Sequence, residues 1–144
     1  MQKIKDTQKE KKVKSVQSIT GNYPVGDFLT RLKNAGLAGK KIVTVPSTNL
    51  IKAVAKTLME ERYVEEMGSD KEMLTVQLAF RKKEPLLTKV RLVSKPGLRI
   101  YIKVSELEAR KEPSILIIST PRGVMSSRGA LKKRLGGEVI AEIL

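Results

Sequence analysis

Apolar residues recur along this chain with periods that shift between helix and strand. From Pro24 a helix is expected: proline suits the first helical turn, and Val25, Phe28, Leu29 and Leu32 follow on one face until Gly36 and Gly39. Lys41 to Val45 is a β-branched strand closed by Pro46, and Ser47 or Thr48 can cap a second helix with Leu50, Val54 and Leu58 on one face. A short strand from Tyr63 to Met67 then turns at Gly68-Ser69-Asp70. It returns with Leu74, Val76, Leu78 and Phe80 facing one way and Thr75, Gln77 and Ala79 the other. The polar, proline-ended stretch Arg81 to Pro85 reads as a lobe boundary.

Beyond it, Leu86, Thr88, Val90 and Leu92 alternate with Lys89 and Arg91. After a Pro96-Gly97 turn, a second alternating strand puts Leu98, Ile100, Ile102 and Val104 inward and Arg99, Tyr101 and Lys103 outward. A short helix is expected over Ser105 to Arg110 with Ser105 and Glu108 as a capping box, then a buried strand from Ile115 to Ser119. Ser126 can cap a helix through Arg134, stopped by Gly136-Gly137, before a last strand with Val139, Ala141 and Ile143 alternating. The fold class is therefore α/β of the α+β kind, in two small lobes. Residues 22–84 form an α-β-α-β-β lobe, residues 85–144 a strand-rich lobe with a short helix, and residues 1–21 a disordered basic arm.

Composition narrows the function. The 144 residues hold no cysteine, histidine or tryptophan, which removes disulfides, thiol nucleophiles, the usual zinc ligand sets and histidine-based triads. No spacing of carboxylates suggests catalysis, so neither an enzyme nor a cofactor, metal site or small-molecule substrate is expected. The formal net charge of +14 calls for a polyanionic partner, nucleic acid or an anionic membrane surface. That excess is uneven: +4 over residues 1–20, +3 over 21–84 and +7 over 85–144. The longest apolar run, Ile115 to Ile118, has strand length, and no leader pattern opens the chain, so a cytoplasmic location is expected. A peripheral membrane protein would need an amphipathic helix with bulky exposed apolar residues, and none is evident.

Two features carry candidate chemistry. Arg99, Tyr101 and Lys103 share one strand face, with Lys89 and Arg91 beside them. Cations around an aromatic ring suit RNA, the cations meeting phosphates and the ring stacking on a base or using its hydroxyl. An ordinary solvated sheet face would use the same residue types. The second feature is the segment from Ser119 through Thr120, Pro121, Arg122, Gly123, Val124 and Met125 to Ser126. Hydroxyls, an arginine and free N–H groups near a helix start form a site for phosphate or base edges, and equally a plain turn. Glu138 follows Gly136-Gly137, where backbone can approach a ligand closely. The acidic cluster Glu60, Glu61, Glu65 and Glu66 reads as a solvated helix end with local ion pairs.

The segments Ser94 to Tyr101, Ser119 to Met125 and Leu135 to Ile140, with Asp27 to Asn34 and Val45-Pro46-Ser47 at matching separations, closely resemble the small-subunit ribosomal protein eight family. The resemblance covers about Asn22 to Leu144. It implies two α/β lobes, no enzymatic activity, and direct binding to the central domain of small-subunit ribosomal RNA during assembly of the 30S subunit. It implies that the segment Ser119, Thr120, Arg122, Gly123, Val124, Ser126 reaches an irregular RNA helix, helped by Tyr101 and by Gly136, Gly137 and Glu138. Arg31, Lys33 and Lys52 are the candidates in the first lobe. Neighbouring small-subunit proteins, those numbered five and twelve, are implied as partners, and repression of its own messenger as a secondary role. The chain departs from the family at Pro121, which lacks a hydroxyl and an N–H, at Asn49 and Ile51, where lysines are usual, and at Arg62, where a glycine is expected.

Overall fold

The computed structural model describes residues 23–144, so the basic arm over residues 1–21 lies outside the described residues. Helix α1 (Pro24–Leu37) buries Val25, Phe28, Leu29 and Leu32, as its period requires, and ends at Gly39 in the left-handed region, φ 82°. Strand β1 (Ile42–Pro46) follows, then α2 (Asn49–Glu60), whose cap is Thr48: its hydroxyl accepts from Ile51 N at 3.1 Å. The buried face of α2 is Ile51, Val54, Ala55, Thr57 and Leu58, so Leu50 points outward, contrary to expectation, and is 42% exposed.

The end of α2 explains Arg62. Tyr63 N donates to Leu58 O at 2.9 Å and Arg62 N to Met59 O at 3.0 Å, the bond pair that closes a helix with one left-handed residue. Arg62 occupies that position at φ 71°, where glycine would be free of a cost of about 1–2 kcal/mol. Strand β2 (Val64–Asp70) runs longer than its pattern indicated. Its hairpin with β3 (Met73–Leu78) turns at Lys71-Glu72, with Lys71 at φ 56°, and Gly68-Ser69-Asp70 pair within the strand instead. The three strands form an antiparallel sheet in the order β1-β3-β2.

Arg81 to Pro85 is a tight hairpin, β4 (Phe80–Arg81) with β5 (Glu84–Pro85), turning through Lys82 and Lys83 at φ 53° and 70°. The alternation expected after it fails. Leu86 and Thr88 are exposed while Leu87 is buried, and only β6 (Val90–Leu92) is strand. Of the next expected strand only β7 (Tyr101–Ile102) forms, leaving Leu98 and Ile100 exposed. Helix α3 (Val104–Ala109) starts one residue early, and Glu106, not Glu108, reaches back to accept from Lys103 N at 2.8 Å. Strand β8 (Ile115–Thr120) pairs with β9 (Gly123–Ser126), so the segment read as a loop is a hairpin. Ser126 caps α4 (Ser127–Lys133), accepting from Gly129 N at 3.2 Å. Arg134, left-handed at φ 54°, ends α4, so Gly136-Gly137 does not stop the helix but leads into β10 (Gly137–Ile143).

The second sheet runs β6-β10-β8-β9, with β7 also on β10. One of its faces meets the first sheet's core: Ile117, Ile140, Ala141 and Ile143 join Phe28, Leu32, Val54, Leu58, Leu74 and Val76 in one cluster. Its other face buries Leu116, Ile118 and Val139 beneath Leu107 of α3 and Ala130 of α4. A fully covered sheet reads as an unbroken apolar run, as Ile115 to Ile118 does. Among the described residues no helix is long and apolar enough to cross a membrane.

Candidate nucleic-acid interface

Strand pairing builds a row that crosses the second sheet. Tyr101 stands opposite Glu138, Glu138 opposite Ser119, and Ser119 opposite Val124. Directly opposed residues share a sheet face. Here it is the face that carries Ile117 into the main core two residues earlier on β8. Val124 still packs against that core and Ser119 is half-buried. Glu138 keeps 20% of its side chain exposed, and Tyr101 reaches 67%. Exposure thus rises along the row as the sheet runs out from under its cover, and its open end offers a carboxylate and a phenol.

Arg99 closes that end, its Nη1 donating to Glu138 Oε2 at 3.1 Å, and the bond raises the guanidinium's pKa further. Of the expected stripe, Arg99 and Tyr101 come together at Glu138, but the strand does not run through all three residues. Arg99 precedes β7, Tyr101 lies in it, and Lys103 occupies the cap position of α3. Arg91 is on the opposite face, where its Nη2 lies 2.7 Å from Glu142 Oε1. Two full alternating strands would have aligned them, but of the second only Tyr101 and Ile102 pair.

The hairpin tip beside the row is tied internally. Thr120 Oγ1 accepts from Arg122 N at 3.1 Å and donates to Gly123 O at 2.8 Å, and Thr120 is buried. Its hydroxyl therefore shapes the turn and leaves Arg122 and Gly123, the latter at φ 115°, at the exposed tip. Pro121, exposed, is the second residue of this turn, a position that proline favours. Ser126 is likewise buried and spent on the α4 cap. The two glycines have a packing reason. A Cβ at Gly137 would run into Ser119 O and the Thr120 backbone, and one at Gly136 into Ile102 O. Their lack of side chains lets β10 press against its neighbours, which holds Glu138 in the row.

The sequence reading missed the groups behind Arg99. Tyr23, just before α1, donates its hydroxyl to Ser94 O at 2.8 Å. Ser94, fully buried, accepts at Oγ from Ile100 N at 2.9 Å. Burial first, then the nearby Glu138 carboxylate, push the Tyr23 phenol's pKa up, so it stays a donor. Ser94 opens the Ser94–Tyr101 motif, but no local pattern shows that its side chain is buried or that Tyr23, 71 positions away, bonds to it.

Of the first-lobe candidates, Arg31 is exposed in a shallow groove with Asn34, Lys40 and Ile42, and Lys33 and Lys52 are half-buried on α1 and α2. None of the three belongs to the Tyr101 row. Ile51 is buried in the core, and Asn49 is exposed at the first turn. On the second lobe, Arg128 pairs with Glu61 and Arg134 with Glu108, while Lys132 and Lys133 are exposed. Among the described residues no group of acidic side chains is placed to hold a metal ion.

The pattern describing ribosomal protein S8 matches residues 23–144, which includes every element above. The chain is 38% identical over 125 residues to the small ribosomal subunit protein uS8 of Vesicomyosocius okutanii, covering 83% of this chain and 95% of that protein. It is 40% identical to the uS8 of Ectopseudomonas mendocina over 124 residues, with the same coverage. With the uS8 of Neisseria meningitidis it shares 41% over 121 residues, 81% of this chain and 93% of that one. A match over all the described residues, on a fold whose second sheet opens where the quoted motifs lie, means that the chain belongs to the ribosomal protein S8 family.

Proposed function

We propose that the chain holds the central domain of small-subunit ribosomal RNA through the open end of its second sheet, with residues 85–144 as the RNA-binding lobe. Membership of the family makes it a structural, non-enzymatic protein of the small ribosomal subunit that binds RNA. The observation that supports the finer reading is the row Tyr101–Glu138–Ser119, which emerges from cover beside the Arg122-Gly123 tip. Tyr101 offers a face for an unstacked base, and Glu138 and Ser119 offer acceptors and a hydroxyl for base edges or 2′-hydroxyls. Arg122, Lys103, Lys132 and Lys133 supply phosphate contacts, which give salt-sensitive affinity with little sequence information. Contacts with the small-subunit proteins numbered five and twelve are part of the same proposal.

The test is binding across a salt series, comparing a central-domain RNA fragment that contains an irregular internal loop with a perfectly paired RNA duplex of equal length. The wild-type chain is expected to prefer the fragment at salt that strips the duplex. Tyr101→Ala should lower that preference by about 2 kcal/mol, the scale of one base–aromatic stack, and leave duplex binding unchanged. Equal affinity for both RNAs with parallel slopes would reduce the interaction to net charge.

A further inference from the structure

Tyr23 and Ser94 lie outside the row, yet they fix the strand end that presents it. The segment between β6 and β7 has no continuous ladder. It is closed by a Lys95–Leu98 pair around Pro96-Gly97, with Lys95 N to Leu98 O at 2.9 Å and Leu98 N to Lys95 O at 2.8 Å. Gly97 at φ 87° following proline fits a tight turn with a left-handed third residue. Beyond that pair, Ile100 sits between Arg99 and Tyr101 and is not in a strand. Its backbone is held from two sides: Ser94 Oγ receives its N–H at 2.9 Å, and its carbonyl accepts from Val139 N at 2.8 Å. The Ser94 hydroxyl replaces the missing ladder bond.

Ser94 is itself anchored from the other lobe. Its carbonyl accepts the Tyr23 hydroxyl at 2.8 Å, across 71 positions of sequence. The Tyr23 ring lies against α1: a Cβ at Gly26 would stand 2.5 Å from its Cδ2 and 3.1 Å from Leu92 Cδ1. Glycine at 26 therefore leaves the space in which the ring lies between helix and sheet. The line of contacts runs from α1 through Tyr23 to Ser94, then to Ile100, and ends on the two exposed side chains that flank it.

We infer that Tyr23 and Ser94 are positioning residues for RNA discrimination, a strut by which the first lobe sets the direction of Arg99 and Tyr101 on the second. The inference rests on the proposed use of the Tyr101 row. It assigns the first lobe a part in specificity that requires no RNA contact from it. It also accounts for a buried serine in the middle of a segment whose apolar neighbours Leu98 and Ile100 are exposed.

The strut is tested with full-length Tyr23→Phe and Ser94→Ala chains on the same looped fragment and paired duplex across a salt series. Tyr23→Phe keeps the ring and removes one donor. It is expected to lower the preference for the looped fragment about fivefold, the scale of one hydrogen bond, with duplex affinity and salt slope retained. Ser94→Ala leaves the acceptor of the Tyr23 hydroxyl in place and frees Ile100, so it should give the same or a larger loss. Amide exchange at Ile100 should quicken in both variants. Lost folding alone would weaken both RNAs in parallel and would not change their ratio. A wild-type preference that Tyr23→Phe and Ser94→Ala both keep overturns the strut alone. A wild-type chain with no preference overturns the reading of the row, and the strut with it.

Discussion

The two sheets of this protein are built by opposite rules. The β1-β3-β2 sheet buries one face under α1 and α2 and leaves the other to solvent, so Val43, Val45, Leu74 and Val76 are covered while Thr44, Thr75 and Met73 are exposed. The β6-β10-β8-β9 sheet is covered on both faces along most of its length, by the first lobe's core on one side and by α3 and α4 on the other. One polar surface opens at the end where strands outrun that cover, and there Tyr101, Glu138 and Ser119 come together, while Arg91 and Glu142 form a second on the opposite face. A half-open sheet spreads its polar residues over a whole face, whereas a closed one concentrates them at its exit. The concentrated arrangement suits recognition, because the groups are few and held by a packed sheet behind them.

The sharpest way to break this contrast is to place the same methyl group in each sheet. Gly137→Ala puts a Cβ into the Ser119 carbonyl in the closed sheet, and the neighbouring backbone has nowhere to move without opening β8 from β10. A loss of about 3 kcal/mol or more is expected, read as a fall in thermal midpoint or failure to fold. Gly68→Ala in β2 meets nothing within 4 Å and has no left-handed φ. It should change stability by less than about 0.5 kcal/mol, or raise it slightly by restricting the unfolded chain. Equal effects of the two substitutions would show that the closed sheet is looser than its packing.

The same contrast decides what could be read from sequence. Helix α1 was legible because one face alone is buried, and β3 because its alternation matches a half-open sheet: Leu74, Val76 and Leu78 are all covered. The motifs at 94–101, 119–125 and 135–140 also led to the right family. The second sheet hid its register. Val124 packs toward one core and Met125 toward the other, so the 119–126 segment lacks alternation and reads as a loop although it is a hairpin. Leu98 and Ile100 mimic a strand but are exposed, since the buried hydroxyl of Ser94 replaces the ladder there. The row itself depends on which residues of four distant strands stand opposite one another. Tertiary pairing sets that, and no local pattern carries it.

A second comparison opposes the two charged pairs on β10. Glu138 at the open end has Arg99 as its ion-pair partner, whereas Glu142, with 14% of its side chain exposed, is enclosed. The Ser114 hydroxyl and then Arg91, both bonded to it, hold Glu142 below the usual carboxylate pKa range, and Arg110 lies 3.6 Å away. A lowered folded pKa means that the stabilisation is present above the unfolded value, roughly 4.3, and is lost as pH falls through the folded one. Glu142→Gln should therefore cost about 2 kcal/mol at neutral pH, and its deficit against wild type should shrink as the solution is acidified below about pH 4. Thermal melts between neutral and acid pH measure this. A constant deficit at every pH would mean that the packing of the side chain matters, not its charge.

The smallest expected effect asks whether the first lobe touches RNA at all. Arg31 is exposed on α1, in a groove with Lys40 and Ile42, apart from the row. If its guanidinium meets a phosphate, Arg31→Ala removes one counterion-releasing contact, lowering the salt slope by up to about one and weakening looped and paired RNA alike. Tyr101→Ala is expected to do the reverse, changing the ratio between the RNAs and sparing the slope. The two variants then separate affinity from discrimination by lobe: an exposed cation on a half-covered face supplies the first, and the exit of a closed sheet supplies the second. A slope unchanged by Arg31→Ala would confine RNA contact at this arginine's side of the molecule to other residues. It would leave the first lobe acting through the core it shares with the second sheet. An Arg31→Ala chain that lost preference for the looped fragment would remove the division between the lobes, because a lone exposed charge has no means of telling an irregular helix from a paired one.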